Sequence, residues 1–305
     1  MARHLHVSHR MDVNAAPAVP LAHLDQLWFQ VAGTLCNLTC THCFISCSPH
    51  NHSFGFMTLA DVRRWLEDSV RWGVNEYYFT GGEPFLNPDM TAMLCESLRY
   101  GATTVLTNAT VLKDEWLGKL AAAEGESVYS LEFRVSIDGF SPETNDPIRG
   151  QGTFARAVAG VRKLVEFGFL PIITAARTWA DADEHRVTQA FVATLRAAGY
   201  DRPRLKILPT LRIGAEERRT HGYASDDCVT AEMMQGYDAS QLICQHSRTI
   251  TNRGVYVCPI LLEFSDARLG DDLDQANRPF PLSHGACWTC YQYGAICTNP
   301  SSALK

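Results

Sequence analysis

Three cysteines near the start of the chain form the pattern with the most chemical content. Cys36, Cys40 and Cys43 are separated by three and by two residues. An ordinary iron–sulfur cubane takes four thiolates, one for each iron, and no fourth cysteine completes this set in a matching frame. Three thiolates would leave one iron with an open coordination position, where another molecule can bind and react.

A structural zinc ion is the alternative that the spacing leaves open. Zinc needs a fourth protein ligand nearby, and Cys47, His42, His50 or His52 could supply it. We interpret Cys47 as a bystander, because a cubane with three thiolates is completed by an external ligand.

Composition excludes several classes of protein. The 305 residues carry a formal net charge of −6, which gives no general attraction to nucleic acid or to anionic membranes. No apolar run approaches the roughly 18–20 residues needed to span a bilayer. The first two dozen residues lack the apolar core of a signal peptide. We therefore expect a cytoplasmic protein that binds neither nucleic acid nor membrane.

A second group of cysteines lies in the last quarter of the chain. The chain has eleven cysteines, an odd number, and they are too clustered for a disulfide scaffold. The stretch 249–257 reads as a hairpin that brings Cys244 and Cys258 together, and Cys287 and Cys290 form a CxxC pair. These four thiols suit either zinc or a fully ligated [4Fe–4S] cluster. Cys297 then remains unassigned.

Alternating strands and helices dominate the region between these two groups. Six apolar strands are predicted, each followed by a helix or loop, at 27–31, 75–80, 103–107, 128–137, 170–175 and 205–208. This alternation predicts an α/β fold with right-handed parallel crossovers. We expect a flexible arm over 1–25, an open partial (β/α)6 TIM-like barrel over 26–212, a linker or substrate loop over 213–240 and a Cys-rich domain over 241–305.

Polar residues follow three of the predicted strands. Gly81, Gly82 and Glu83, before Pro84, come directly after the second strand, and the glycines let backbone approach a ligand closely. Thr107-Asn108 ends the third strand, and Ser136-Ile137-Asp138-Gly139 ends the fourth. Side chains at the carboxyl ends of parallel strands point into the mouth of a β/α barrel. A turn or capping role is the alternative for each motif.

The cysteine run and the Gly-Gly-Glu-Pro motif together resemble those of the radical S-adenosylmethionine (radical SAM) enzymes. The resemblance implies that Cys36, Cys40 and Cys43 hold a [4Fe–4S] cluster whose open iron binds SAM. It also implies SAM contacts for the following residues: His42, Gly81, Gly82, Glu83, Asn108, Ser136 and Asp138. The segment that begins at Arg149 resembles a stretch typical of members with extra clusters, where Arg149 orders the loop or holds a carboxylate.

The C-terminal cysteines behind such a barrel resemble the twitch form of the SPASM extension. This implies one auxiliary [4Fe–4S] cluster, held by Cys244, Cys258, Cys287 and Cys290, that transfers electrons. The plan resembles radical SAM dehydrogenases that oxidise a cyclitol alcohol, so we expect a small sugar-type substrate and a flavodoxin- or ferredoxin-type electron donor.

Two other reaction outcomes stay open. Epimerisation would need a cysteine that returns hydrogen, for which Cys228 is the candidate. Modification of a ribosomal peptide is disfavoured because only about 25 residues precede the first predicted strand. Arg177 and Arg212, just beyond the fifth and sixth strands, are candidates to meet a substrate carboxylate or that of SAM. A non-enzymatic iron–sulfur sensor or scaffold leaves Gly-Gly-Glu-Pro unexplained.

Overall fold

The computed structural model describes residue 12, residues 15–294 and residues 296–297. In this part of the chain the strands, in chain order, are β1 (Ala18–Val19), β2 (Gln26–Gln30), β3 (Glu76–Thr80), β4 (Ala102–Thr107), β5 (Leu131–Ser136), β6 (Ile172–Ala176), β7 (Arg204–Leu208), β8 (Ser247–Thr251), β9 (Gly254–Tyr256), β10 (Arg268–Gly270) and β11 (Phe280–Pro281). The α-helices are α1 (Leu59–Ser69), α2 (Met90–Ser97), α3 (Asp114–Glu126), α4 (Pro142–Arg149), α5 (Thr153–Glu166), α6 (Glu184–Ala197), α7 (Ala215–Thr220), α8 (Leu273–Ala276) and α9 (Gly285–Tyr293).

One nine-stranded sheet organises the molecule, in the order β10-β9-β8-β2-β3-β4-β5-β6-β7. Strands β2 to β7 run parallel to their neighbours in sequence order. The α/β fold with a central parallel sheet is therefore confirmed, and it matches the partial TIM barrel expected from the sequence. Each parallel strand delivers the chain to the same edge of the sheet, so the polar motifs at the strand ends meet there.

Local sequence signals explain where the helices begin. Helix α1 starts after Thr58, whose hydroxyl accepts from the backbone N–H of Asp61, while the Asp61 carboxylate accepts from the backbone N–H of Thr58. This reciprocal pair satisfies two helix-end donors. Val62 and Leu66 lie one helical turn apart and are both fully buried. None of the described helices is long and apolar enough to cross a membrane.

Helix α4 was not predicted, because Pro142 and Pro147 both lie within its eight residues and proline disfavours a helix interior. Pro142 is tolerated in the first turn, and Ser141 and Thr144 form a capping box there. Strand β5 is also shorter than predicted, since Val128, three residues before it, is 93% exposed.

The C-terminal segment extends the barrel sheet. The predicted hairpin is present as antiparallel β8 and β9, and β8 also pairs in parallel with β2. Part of the segment predicted to be a flexible arm packs against the C-terminal segment. Strand β1 pairs with β11, and the apolar side chains of Val19 and Leu24 are buried in the hydrophobic core.

Helix α5 packs closely on the loop after β4 at Gly160. A Cβ at Gly160 would lie 2.2 Å from the carbonyl oxygen of Ala109, whereas the nearest atom to one at Gly118, inside α3, is 3.6 Å away. We expect Gly160→Ala to lower the free energy of unfolding by about 1–3 kcal/mol through overpacking. Gly118→Ala should raise it by about 0.5–1 kcal/mol, because alanine is the better helix former.

Urea unfolding of both variants under anaerobic conditions measures the difference. Equal effects of the two substitutions would contradict the close packing of α5 on Ala109.

Candidate active site

One cavity of about 240 Å³ collects almost every residue that the sequence singled out around the first three cysteines. It lies at the carboxyl ends of the parallel strands, where β/α folds place their sites. The predicted residues that line it are Cys36, Cys40, Cys43, His42, Gly81, Gly82, Asn108, Ser136 and Asp138.

Backbone contacts hold the cysteine loop between β2 and α1. The N–H of Thr41 donates to the carbonyl of Ile148 in α4 at 2.9 Å, and the N–H of Ala215 donates to the carbonyl of Cys43 at 2.9 Å. Gly214, which precedes Ala215, has a φ of +63°, and a Cβ there would lie 2.4 Å from the carbonyl oxygen of Phe44. The loop is therefore fixed from two sides.

The three thiols have different surroundings. Burial raises the pKa of Cys36 to about 12 and that of Cys40 to about 11. Hydrogen bonding by the Cys47 thiol lowers the pKa of Cys43 to about 6, and the backbone N–H of Cys47 donates to the same sulfur at 3.3 Å. Cys47 therefore hydrogen-bonds to Cys43 through its thiol and its backbone N–H, and it also lines the cavity.

The glycine pair lies directly behind this loop. The N–H of Gly82 donates to the carbonyl of Gly33 at 3.0 Å, and the N–H of Glu83 donates to that of Leu35 at 3.0 Å. A Cβ at Gly82 would lie 2.1 Å from the carbonyl oxygen of Leu35 and 2.8 Å from the Cβ of Cys36. Only glycine fits, and exposed backbone faces the cavity beside the thiols. The three thiols and this backbone fit a three-thiolate cluster with SAM beside it.

Glu83 lies behind the cavity wall. It is fully buried, and its carboxylate accepts from the Thr107 hydroxyl at 2.7 Å, the backbone N–H of Asn108 at 2.8 Å and that of Phe85 at 3.1 Å. Burial raises its pKa to about 7, against these hydrogen bonds. Its side chain ties the ends of β3 and β4 together, and its predicted contact with the amino group of SAM stays a prediction.

Asp138 is the electrostatic centre of the cavity wall beside the cysteine loop. Its Oδ2 lies 2.5 Å from Arg149 Nε and 2.7 Å from His42 Nε2, and its Oδ1 accepts from the backbone N–H of Ala176 at 2.7 Å. Burial opposes ionisation, but Arg149 and then His42 hold the pKa of Asp138 well below its usual range. Of the two sequence alternatives for Arg149, the structure thus shows it holding a carboxylate.

His42 keeps one ring nitrogen available. Asp138 contacts its Nε2, whereas its Nδ1 is buried and has no hydrogen-bond partner among the described residues. Asn108 also has a defined orientation, because its amide donates to Asn37 Oδ1 at 2.9 Å. Both side chains are held in place before any ligand binds.

Three predicted substrate residues do not line this cavity. Arg177 pairs with Asp181 at 2.8 Å, and Arg212 pairs with Asp227 at 2.7 Å. Cys228 is half-buried elsewhere. Each arginine follows a strand as expected and pairs with a nearby carboxylate, and a contact of either with a substrate or SAM carboxylate stays a prediction.

Sequence reasoning missed the deeper wall of the cavity, which Trp28, Arg134, Thr174 and Lys206 form. Arg134 is 2% exposed. A basic residue in the middle of an apolar strand was the signal available, because charge is rarely buried without a partner.

The four C-terminal cysteines line a second, smaller cavity. Cys244, Cys258, Cys287 and Cys290 are all buried there, among apolar side chains such as Leu261. Burial raises the pKa of Cys244 to about 12 and that of Cys258 to about 11. In the described part of the chain, no three His, Cys, Asp or Glu side chains form a ready site for a single metal ion. Four buried thiols in an apolar cavity fit a fully ligated cluster.

Cys297 lies between the two cavities. It lines the first one, and burial, together with the charge of Cys258, raises its pKa to about 12. The sequence left this thiol unassigned, and the structure brings it to the wall shared with Arg134.

Comparison with known proteins agrees with this geometry. Residues 31–179 match the model of the Radical SAM superfamily. The chain is 31% identical over 175 residues to the AdoMet-dependent heme synthase of Methanosarcina barkeri, covering 57% of this chain and 48% of that protein. It is 28% identical over 167 residues to the mycofactocin maturase MftC of Mycobacterium tuberculosis, covering 53% and 41%. The chain thus spans half or less of the length of these relatives.

Solved structures share the fold. Streptococcus suis SuiB bound to its precursor peptide SuiA superposes with a TM-score of 0.62 at 16% identity, over 85% of this chain and 65% of that one. Native anSMEcpe with bound AdoMet superposes with a TM-score of 0.59 at 15% identity, over 82% of this chain and 80% of that one.

The Asp138–Arg149 pair gives a direct test of the site's electrostatics. We expect Asp138→Asn to lower the free energy of unfolding by about 3–5 kcal/mol, because it leaves a buried guanidinium without its carboxylate. Adding Arg149→Met should recover at least half of that loss.

Glu115→Gln is the matched control, because it breaks the exposed Lys119–Glu115 pair of 2.7 Å and should change little. Denaturant unfolding measures all variants, and an additive double variant would contradict the coupling.

Proposed function

We propose that this chain, which carries a Radical SAM superfamily domain over residues 31–179, is an enzyme that uses SAM and a [4Fe–4S] cluster to take a hydrogen atom from a substrate carbon. The observation that carries the proposal is the single cavity into which Cys36, Cys40 and Cys43 open together with Gly81 and Gly82. Together, the cluster and SAM supply a radical able to abstract hydrogen from an unreactive C–H bond.

The chain's own residues bind the cluster and bind and orient SAM. The three thiolates hold the cluster, and the backbone at Gly81 and Gly82 is open to the amino group of SAM. Asp138 contacts His42 Nε2, so the His42 ring lines the cavity beside Cys43, where it would contact SAM. Ser136 and Asn108 offer hydroxyl and amide groups at the strand ends.

We further propose an auxiliary [4Fe–4S] cluster at Cys244, Cys258, Cys287 and Cys290. Four thiolates leave no iron with an open position, so such a cluster supplies electron transfer alone. What supports it is the burial of all four thiols in one apolar cavity, with Cys297 between that cavity and the first.

The reaction outcome we propose is a two-electron oxidation of a small sugar- or cyclitol-type alcohol in the cytoplasm, with a flavodoxin- or ferredoxin-type protein as electron donor. The substrate would lose a hydrogen atom from carbon to the radical derived from SAM, a proton from oxygen to solvent, and one further electron to the proposed auxiliary cluster. Epimerisation is the alternative for which Cys297, at the cavity wall, is placed better than Cys228.

Modification of a peptide is the second candidate, and the comparisons favour it. MftC is named a mycofactocin maturase, and SuiB was solved with a precursor peptide. These names describe those proteins, and they make a peptide the first substrate class to test beside small alcohols.

SAM cleavage tests the central proposal. The anaerobically reconstituted, dithionite-reduced protein should release 5′-deoxyadenosine from SAM, measured by chromatography. Replacing Cys36, Cys40 or Cys43 by Ala should abolish release, because each removes an iron ligand. Cys95→Ala is the matched control, since Cys95 lies in α2 away from both cavities. Release that survives the loss of Cys40 would refute the assignment.

Metal content tests the auxiliary cluster independently. Two cubanes predict about eight irons and eight sulfides per chain. Replacing both Cys287 and Cys290 by Ala should reduce this to about four, while Cys228→Ala should leave it unchanged. Four irons with one zinc in the unmodified protein would replace the cluster by a zinc site. Mass spectrometry of the product then separates the outcomes: a loss of two mass units marks oxidation, and uptake of solvent deuterium marks epimerisation.

A further inference from the structure

A buried arginine lies beside the four C-terminal cysteines. Arg248 belongs to β8, four residues after Cys244, and is only 1% exposed. A charged side chain is rarely buried this completely unless a group of opposite charge accompanies it. A negative charge is therefore expected next to Arg248.

Backbone carbonyls hold the guanidinium in place. Its Nη1 donates to the carbonyls of Cys244 and Ser247, both at 2.7 Å. Its Nε donates to the carbonyl of Ala276 at 3.0 Å, and its Nη2 donates to that of Arg278 at 3.3 Å. A carbonyl carries no full charge, and Arg248 forms no ion pair with a carboxylate in the described part of the chain. These partners fix the direction of the side chain, but they do not neutralise it.

Two of the proposed cluster ligands lie close to this charge. Cys244 accepts from the guanidinium through its own carbonyl. Thr249 of β8 pairs with Tyr256 of β9, and the same register places Cys258, two residues further on, beside the start of β8. Burial lowers the pKa of Arg248 to about 10, against the opposing charges of the Cys244 and Cys258 thiolates. Both sulfurs are therefore within electrostatic reach of the guanidinium.

The second cavity offers no cation of its own. Among the described residues that line it, none is Lys, Arg or His, and all except the four cysteines are apolar. A [4Fe–4S] core held by four thiolates is a net anion, and reduction adds one further negative charge. An anion in apolar surroundings is costly without a counter-charge. Arg248, bonded to the carbonyl of Cys244, is a buried cation placed to meet this requirement.

We propose that Arg248 is the counter-charge of the auxiliary cluster and raises its reduction potential. Arg248 is a positioning residue: it is not a ligand, it stays protonated, and reduction adds one electron to the cluster alone. Its charge favours the more negative, reduced state by Coulomb attraction, which apolar surroundings strengthen. The inference rests on the proposed function and deepens it, because one residue then controls how readily the auxiliary cluster accepts the electron that the substrate radical gives up.

Substitutions that remove or keep the charge test this in the full-length, anaerobically reconstituted protein with SAM. Arg248→Gln removes the charge but keeps an amide donor, whereas Arg248→Lys keeps the charge but loses the planar guanidinium. A redox titration followed by electron paramagnetic resonance measures the potential of the cluster whose signal SAM does not alter.

The expected shift follows the charge. Arg248→Gln should make reduction of the auxiliary cluster about 10- to 100-fold less favourable, a fall of about 60–120 mV at about 59 mV per tenfold for one electron. Arg248→Lys should stay within about threefold of the unmodified protein. Arg253→Gln is the matched control and should leave the potential unchanged, because Arg253 is exposed at the turn of the same hairpin and solvent screens its charge.

Iron content gives a second readout if Arg248→Gln does not retain its auxiliary cluster. Loss of about four irons per chain in Arg248→Gln, but not in Arg248→Lys, would also support the proposal, because the two variants differ in charge.

The proposal fails on any of three results. The first is an unchanged potential in Arg248→Gln with both clusters present. The second is an equal effect of Arg248→Gln and Arg248→Lys on potential or on iron content, which would make Arg248 a support for the backbone alone. Both results leave the auxiliary cluster of the unmodified protein as proposed. The third, four irons with one zinc in the unmodified protein, removes that cluster from the proposed function together with its counter-charge.

Discussion

The buried carboxylate of Glu83 is the interaction on which the arrangement of the site depends. It accepts three hydrogen bonds, from the last residue of β4, from the residue after it and from a residue that follows β3, so it fixes the relative position of two strand ends. The glycine turn before it is then held against the cysteine loop by backbone hydrogen bonds to Gly33 and Leu35. Because Gly82 has no room for a side chain, the thiols and the turn form one rigid wall.

The two groups of cysteines belong to one continuous framework. Strand β8, which follows Cys244, lies beside β2, which leads into the Cys36 loop. Arg134 reaches from β5 to the backbone at Cys297, so the barrel wall and the C-terminal segment contact each other where the first cavity is deepest. A substrate at that point would touch residues from both parts of the chain.

The sequence predicted the parts that depend on local patterns. The six parallel strands and the C-terminal hairpin follow from alternation and turn chemistry, and the strand-end motifs were expected to meet. Helix α4 was missed because its two prolines argue against a helix while tertiary contacts support one. Arg177 and Arg212 were expected to meet a substrate or SAM carboxylate; the structure pairs them with Asp181 and Asp227, partners that chain position does not reveal. Trp28 and Arg134 were not singled out, because only the assembled sheet shows that they line the cavity.

The pairing of β2 with β8 also determines the order in which parts of the sheet form as the chain is synthesised and folds. Gln26 lies beside Ser247 in the sheet, so one edge of β2 stays bare until most of the chain has left the ribosome. Contacts between such distant residues form late in folding. The first three cysteines, which follow β2, are therefore synthesised well before β8, the strand that covers this edge of β2.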